Sequence, residues 1–177
     1  MYSPIPVLNE LKDLYDSTRE FLADGFELYG YDDKGRYFPQ ELDDPDFLSR
    51  LVPFAQANGS GSTYAIWRSS DETDLALLPV VVFGDEGGEH VIARDFREFL
   101  RLLGFDTEIT VDHDSAYYFR EDDDGHSGSH ELFVEWLRQR GLEPADDPDA
   151  VVAAAGEIHG ERFRAWITPF YEKAGWA

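Results

Sequence analysis

Residues 63–105 constrain the fold more than any other part of the chain. In "TYAIWRS", Tyr64 and Ile66 alternate with Ala65 and Trp67, so both faces of the segment are apolar and the strand belongs at the centre of a sheet. "PVVVFGDEGGEHVIA" then reads as strand, glycine-rich turn and strand, the pair meeting through residues 85–88. "DFREFLRLLGF" follows, with Asp95 as N-cap and Glu98 three residues on. Phe96, Phe99, Leu100 and Leu103 line one face of this helix, and Gly104 stops it.

The flanking segments predict helices at both ends. Leu8, Leu11, Tyr15, Thr18 and Leu22 recur at helical steps, giving a helix that ends near Gly25. "FELYGYDDKGRYFP" reads as a hairpin turning at Asp32, Asp33, Lys34 and Gly35. After Gly104 comes an acidic, weakly hydrophobic segment, "DHDSAYYFREDDDGHSGS". Two helices follow: "HELFVEWLRQRGL", and "DDPDAVVAAAGEIHGERFRAWI" with Asp147 as cap and Pro148 at its first position. The expected class is α+β. A central, largely antiparallel sheet carries the Tyr64, Val80 and Val91 strands and is packed by helices from both ends. Residues 1–110 form the core, and residues 111–177 form an acidic loop and a helical extension of the same domain.

The charge narrows function. The 177 residues carry 37 Asp and Glu against 15 Lys and Arg, a net charge of -22, which repels nucleic acid and anionic lipid and favours a basic partner. An acidic surface adapted to salt is the competing account. There is no cysteine, so neither a disulfide framework nor a thiolate zinc site can form. The first twenty residues carry charges where a signal peptide needs an apolar core, and the longest apolar run, "LALLPVVVF", is too short to cross a bilayer. A cytoplasmic protein without membrane contact is the expectation.

The stretch "PFAQANGSGSTYAIW" resembles a phosphate loop in its glycines but has no lysine after them, which removes that reading. Asn58, Gly59 and Ser60 match a glycosylation sequon, which has meaning only in an exported chain. A turn leading into the Tyr64 strand is the simplest reading.

Together with "PVVVFGDEGGEHVIARDFREFLRLL", the same stretch is similar in order and spacing to the core of the SUKH superfamily. The matching residues are Pro53, Phe54 and Ala55; Gly59, Ser60 and Gly61; Tyr64 and Trp67; Pro79 and Val80; Glu86 and Gly87; and Phe96, Phe99 and Leu100. The resemblance implies a non-catalytic binding module. Most members are bacterial immunity proteins that neutralise polymorphic or contact-dependent toxins, many of them nucleases, and a fungal branch regulates cell-wall synthesis through protein contacts. On this reading the partner is a basic toxin domain, no metal or other cofactor is needed, and a regulatory scaffold of the cell-wall type is a further alternative. Asp71, Glu72 and Asp74 after the Trp67 strand, with Asp85 and Glu86 at the next turn, are the candidate contacts, because loops on a rigid sheet vary without disturbing its core.

The rival is a metal-dependent enzyme or metal-binding protein built on residues 112–131. Asp112, His113, Asp114, His126 and His130 are all suitable ligands for a divalent cation. Gly125, Ser127, Gly128 and Ser129 surround the two distal histidines, so no helix is expected to hold both on one face. Read as a calcium loop, the segment places Asp122, Asp124 and Glu131 correctly but puts Arg120 at the first ligand position. A solvated acidic loop is the simpler reading. No cysteine nucleophile, Gly-x-Ser-x-Gly elbow or His-Glu-x-x-His pair is present, and His90 and His159 read as packing or surface residues. Trp67, Trp136 and Trp166 read as core rather than as a ligand platform.

Overall fold

In a computed structural model of the protein, residues 1–34 and 42–176 are described. Five helices and a five-stranded antiparallel sheet make the chain α+β, as its patterning requires. The strands are β1 (Glu27–Leu28), β2 (Leu51–Gln56), β3 (Thr63–Trp67), β4 (Val80–Phe83) and β5 (Glu89–Ala93), and they lie side by side in chain order. β3 is therefore the central strand, and all five of its residues are buried. A second, two-stranded ribbon joins β6 (Ile109–Val111) to β7 (Ala116–Tyr118).

The alternation read in β3 sorts its side chains between two cores. Tyr64 and Ile66 join Phe54, Val80, Val82 and Ile92 on one face, under α1 (Pro6–Ser17), α3 (Phe96–Leu103) and α4 (His130–Arg138). Ala65 and Trp67 join Leu51, Val81, Phe83 and Val91 on the other. There they meet Phe47 of α2 (Pro45–Ser49) and Ala155, Phe163 and Ile167 of α5 (Pro148–Ala174). The carboxy-terminal helix expected as an extension is thus the layer that covers the second face of the sheet. It is capped as read, since the Asp147 side chain accepts from the Ala150 N–H, and Gly175 ends it in the left-handed region at φ 78°.

Several local expectations are corrected. α1 stops at Ser17 rather than near Gly25, because Thr18 turns extended and its hydroxyl bonds Ser129 Oγ at 2.5 Å. Leu22 still reaches the core, from a loop rather than from a helical face. The second arm of the hairpin expected across residues 26–39 falls on residues 35–39, which lie outside the described residues; in the first arm, Glu27 and Leu28 form β1 and pair with Gln56 and Ala55 of β2. The segment before the Gly-Ser-Gly turn is itself a strand. Its register shifts between Pro53 and Ala55, and such a bulge accommodates a proline that cannot donate to the ladder. The acidic stretch after Gly104 holds the β6–β7 ribbon, which was not anticipated.

α3 matches its sequence signature in all but one detail. The Asp95 side chain accepts from Glu98 N at 2.8 Å, but Glu98 reaches back to the N–H of Arg94 rather than of Asp95, and also takes two of that residue's guanidinium nitrogens. Burial pushes the Glu98 carboxyl up, yet the Arg94 bonds outweigh it and hold the group below its ordinary value.

Candidate functional site

The Asn58–Ser62 turn explains the glycines of the opening motif. Asn58 is 6% exposed; its Oδ1 accepts from the N–H groups of Gly61 and Ser62, while its Nδ2 donates to Ser62 Oγ and to the carbonyl of Ile109. A sequon whose amide nitrogen is buried and doubly bonded is no acceptor for a sugar. Gly61 sits at φ 111°, which a side chain would resist, and Gly59 donates its N–H to Glu108 Oε1 at 2.8 Å. Ser60 and Ser62 hydroxyls both donate to Asp85 Oδ1, so one of the proposed contact carboxylates also pins this turn and is held below its ordinary pKa, burial opposing and the two serines prevailing.

The five candidate contact residues are all exposed, but they do not share a surface. Asp71, Glu72 and Asp74 follow the Trp67 end of β3, whereas Asp85 and Glu86 follow Phe83, which pairs with Thr63 at the opposite end. The first group is built into its own loop. Asp74 caps a short 3₁₀ turn, Leu75–Leu77, by accepting from Ala76 N at 3.0 Å, and Glu72 accepts from Asp74 N at 2.9 Å. These three line a cleft with Arg50 and Arg68.

The aromatic motif residues are structural. Tyr64, Trp67, Phe96 and Phe99 are buried, with Tyr64 and Phe99 rings 4.9 Å apart. Trp67 lies 5.0 Å from Phe163 and 5.6 Å from Trp166, while Trp136 belongs to the core on the other face. No common tryptophan platform exists among them.

The metal-ligating set read from residues 112–131 divides in two. Asp112, His113 and Asp114 form the β6–β7 turn against β5, where His90 Nε2 lies 2.7 Å from the Asp112 carbonyl. His126 and His130 come together elsewhere, and no helix holds both, as their glycine and serine neighbours lead one to expect: His126 lies in the loop and His130 opens α4. Their rings stack with centroids 4.0 Å apart and planes 4° from parallel, over the carboxylate of Asp106. Asp106 escaped notice in the sequence because it lies outside the loop, but it sits at φ 59°, a conformation Asp tolerates better than most residues. Its side chain is fully buried and accepts from Asp24 N, Ser127 N and Ser127 Oγ, with His126 Nδ1 at 2.9 Å. His130 Nδ1 lies 3.5 Å away, buried without a hydrogen-bond partner, and burial pushes the His130 imidazolium down against the pull of Asp106.

These three residues are close enough to hold an ion, but their present geometry does not suit one. A metal lies near the plane of each imidazole that ligates it, and two stacked parallel rings share no such position unless one turns. The Arg120 guanidinium also stands 3.1 Å from His126 Nδ1. Arg120 occupies the centre of the loop read as a calcium site, donating to the carbonyls of Phe105, Asp106, Asp124 and Gly125. The loop closes around a cation of its own, and the cluster is a hydrogen-bonded clamp fastening residues 120–130 to the β6 end of the core.

Comparison of the chain with known protein families, with characterised proteins and with solved structures finds no match. Among the described residues no helix is long and apolar enough to cross a membrane.

Proposed function

We propose that this chain is a non-catalytic binding module for a basic protein, and that it acts in the cytoplasm as an immunity protein against a nuclease-type toxin. The observation that carries this reading is the uncompensated acidic surface. Among the described residues only Glu10, Asp16, Asp32, Asp44, Glu98 and Glu143 pair with Lys or Arg, in a chain whose sequence holds 37 Asp and Glu. A basic cleft that grips nucleic acid is complementary to such a surface, which blocks the cleft and accelerates encounter. The SUKH-like order of motifs supports the same reading, as does the use of its aromatic residues as core.

The test starts from the gene beside this chain's own: the reading expects it to encode a basic toxin-like domain, and the binding kinetics of that domain are then measured. Association slows about tenfold or more from low to high salt if charge steers it. Neutralising Asp71, Glu72, Asp85 and Glu86 together to the amides slows it further. Because these carboxylates lie at opposite ends of β3, the pairs at 71–72 and 85–86 are also neutralised separately, and one pair accounts for most of the effect. Absence of binding by the parent protein removes the immunity reading for that partner.

A further inference from the structure

Among the described residues only two phenylalanines are exposed, Phe21 at 49% and Phe119 at 67%, and both line the same cavity. The cavity, of about 600 Å³, opens between the segment after α1, the start of β6 and the loop that follows β7. Its wall contains four carboxylates, Asp24, Asp106, Glu108 and Asp124, against the single guanidinium of Arg120. The donors of Arg120 are turned onto backbone carbonyls, and Asp106 is saturated by the clamp. The other three carboxylates keep acceptor capacity, and hydrogen bonds position two of them. Glu108 Oε1 takes the Gly59 N–H and leaves Oε2; Asp124 Oδ2 takes the Glu121 N–H and leaves Oδ1; the Asp24 carboxylate makes no ion pair with another described residue.

Exposed aromatic rings that line one cavity with carboxylates free of ion pairs are complementary to a planar cation. The ring faces attract it through their quadrupoles, and its N–H fork matches carboxylate oxygens. We propose that this cavity receives an arginine side chain of the partner, with Phe21 and Phe119 against the guanidinium and Asp24, Glu108 and Asp124 accepting its N–H groups. Arginine is favoured over lysine because its flat, weakly hydrated head stacks on rings and donates in several directions at once. The inference rests on the reading of the chain as a binder of basic proteins and places the contact on the molecule. Glu108 is bonded to the turn whose Ser60 holds Asp85, so the cavity adjoins the Asp85 and Glu86 end of the sheet, away from Asp71, Glu72 and Asp74.

The probe is an acetylated, amidated tetra-arginine peptide, titrated into nitrogen-15-labelled protein and followed by amide chemical shifts, with tetra-lysine as comparison. The expected shifts fall on residues 21–24, 106–110 and 119–127, and the arginine peptide binds more tightly than the lysine one. Each ring contributes about two- to fivefold in affinity, so Phe21→Ala with Phe119→Ala weakens binding about fivefold or more. Both rings are exposed, and unchanged circular dichroism and melting of that variant verify that its fold is intact. Glu157→Gln with Glu161→Gln, exposed on α5 and outside the cavity lining, leaves peptide affinity unchanged. Equal binding by the double phenylalanine variant, or shifts confined to residues 68–75, overturns the cavity while leaving a basic-partner module in place. Equal affinity for the lysine peptide overturns the choice of arginine. Binding of the toxin-like domain without any response to tetra-arginine also overturns the cavity alone, whereas failure of the toxin-like domain to bind bears on the proposed function and not on this titration.

Discussion

Replacing Trp67 by Ala tests whether α5 is an integral layer, because that side chain is the junction between the central strand and the helix. A buried tryptophan removes about 200 Å² from water, worth about 5 kcal/mol at ~25 cal/mol per Å². Here the residue is 2% exposed, edge-on to Phe163 and tilted against Trp166. One feature works the other way: its Nε1 is buried without an acceptor, and deleting an unsatisfied donor returns about 1–3 kcal/mol. The net loss is then about 2–4 kcal/mol, at or just below the lower end for large-to-small aromatic changes. In a chain of 177 residues that lowers the melting temperature by about 4–16 °C. Trp67→Phe separates the two contributions, since it keeps most of the ring and removes the orphan N–H, and it costs about 1 kcal/mol. Urea unfolding of parent, Ala and Phe variants, followed by circular dichroism, measures all three. A loss below about 1 kcal/mol for the Ala variant would refute the reasoning, since Trp67 would then not hold α5 to the sheet.

Three further perturbations address the clamp and the ribbon. Asp106→Ala leaves the Asp24 and Ser127 amides without their acceptor and loses the residue best suited to φ 59°, so it costs about 2–4 kcal/mol, and Asp106→Asn costs less; chemical unfolding ranks them. His130 resists protonation in the folded protein while the unfolded chain accepts a proton near 6.5, so the unfolded state binds more protons as pH falls. Stability present above that value is therefore lost below it, and His130→Gln flattens this part of a melting-temperature profile against pH, with Asp106, His126, Arg120 and Glu131 as the charges acting on the ring. Gly88 sits at φ 86°, and an added Cβ would stand 2.2 Å from the Asp112 carbonyl oxygen, so Gly88→Ala costs at least about 2 kcal/mol and raises hydrogen exchange in β6 and β7.

What the sequence determined by itself is whatever depends on neighbours along the chain. The two-sided apolar pattern of β3, the β4–β5 hairpin with its glycines, and the caps of α3 and α5 are each set by residues within a few positions of one another, and each stands where its pattern places it. Where a local pattern has two outcomes, distant partners chose between them. Thr18 continues the apolar stripe of α1 but leaves the helix for Ser129, and Glu27 and Leu28 pair with Gln56 and Ala55 of β2. The β6–β7 ribbon has strands of only three residues each, too short for their pattern to be read within the acidic segment around them, and it exists because its turn docks on Gly88 and His90. The clamp and the cavity lay furthest from view. Asp106 lies some way up the chain from His126 and His130, as Phe21 does from Phe119, and neither spacing nor composition records that these groups meet. Only packing brings them together, because a buried carboxylate takes the donors that surround it in space and not those that lie beside it in sequence.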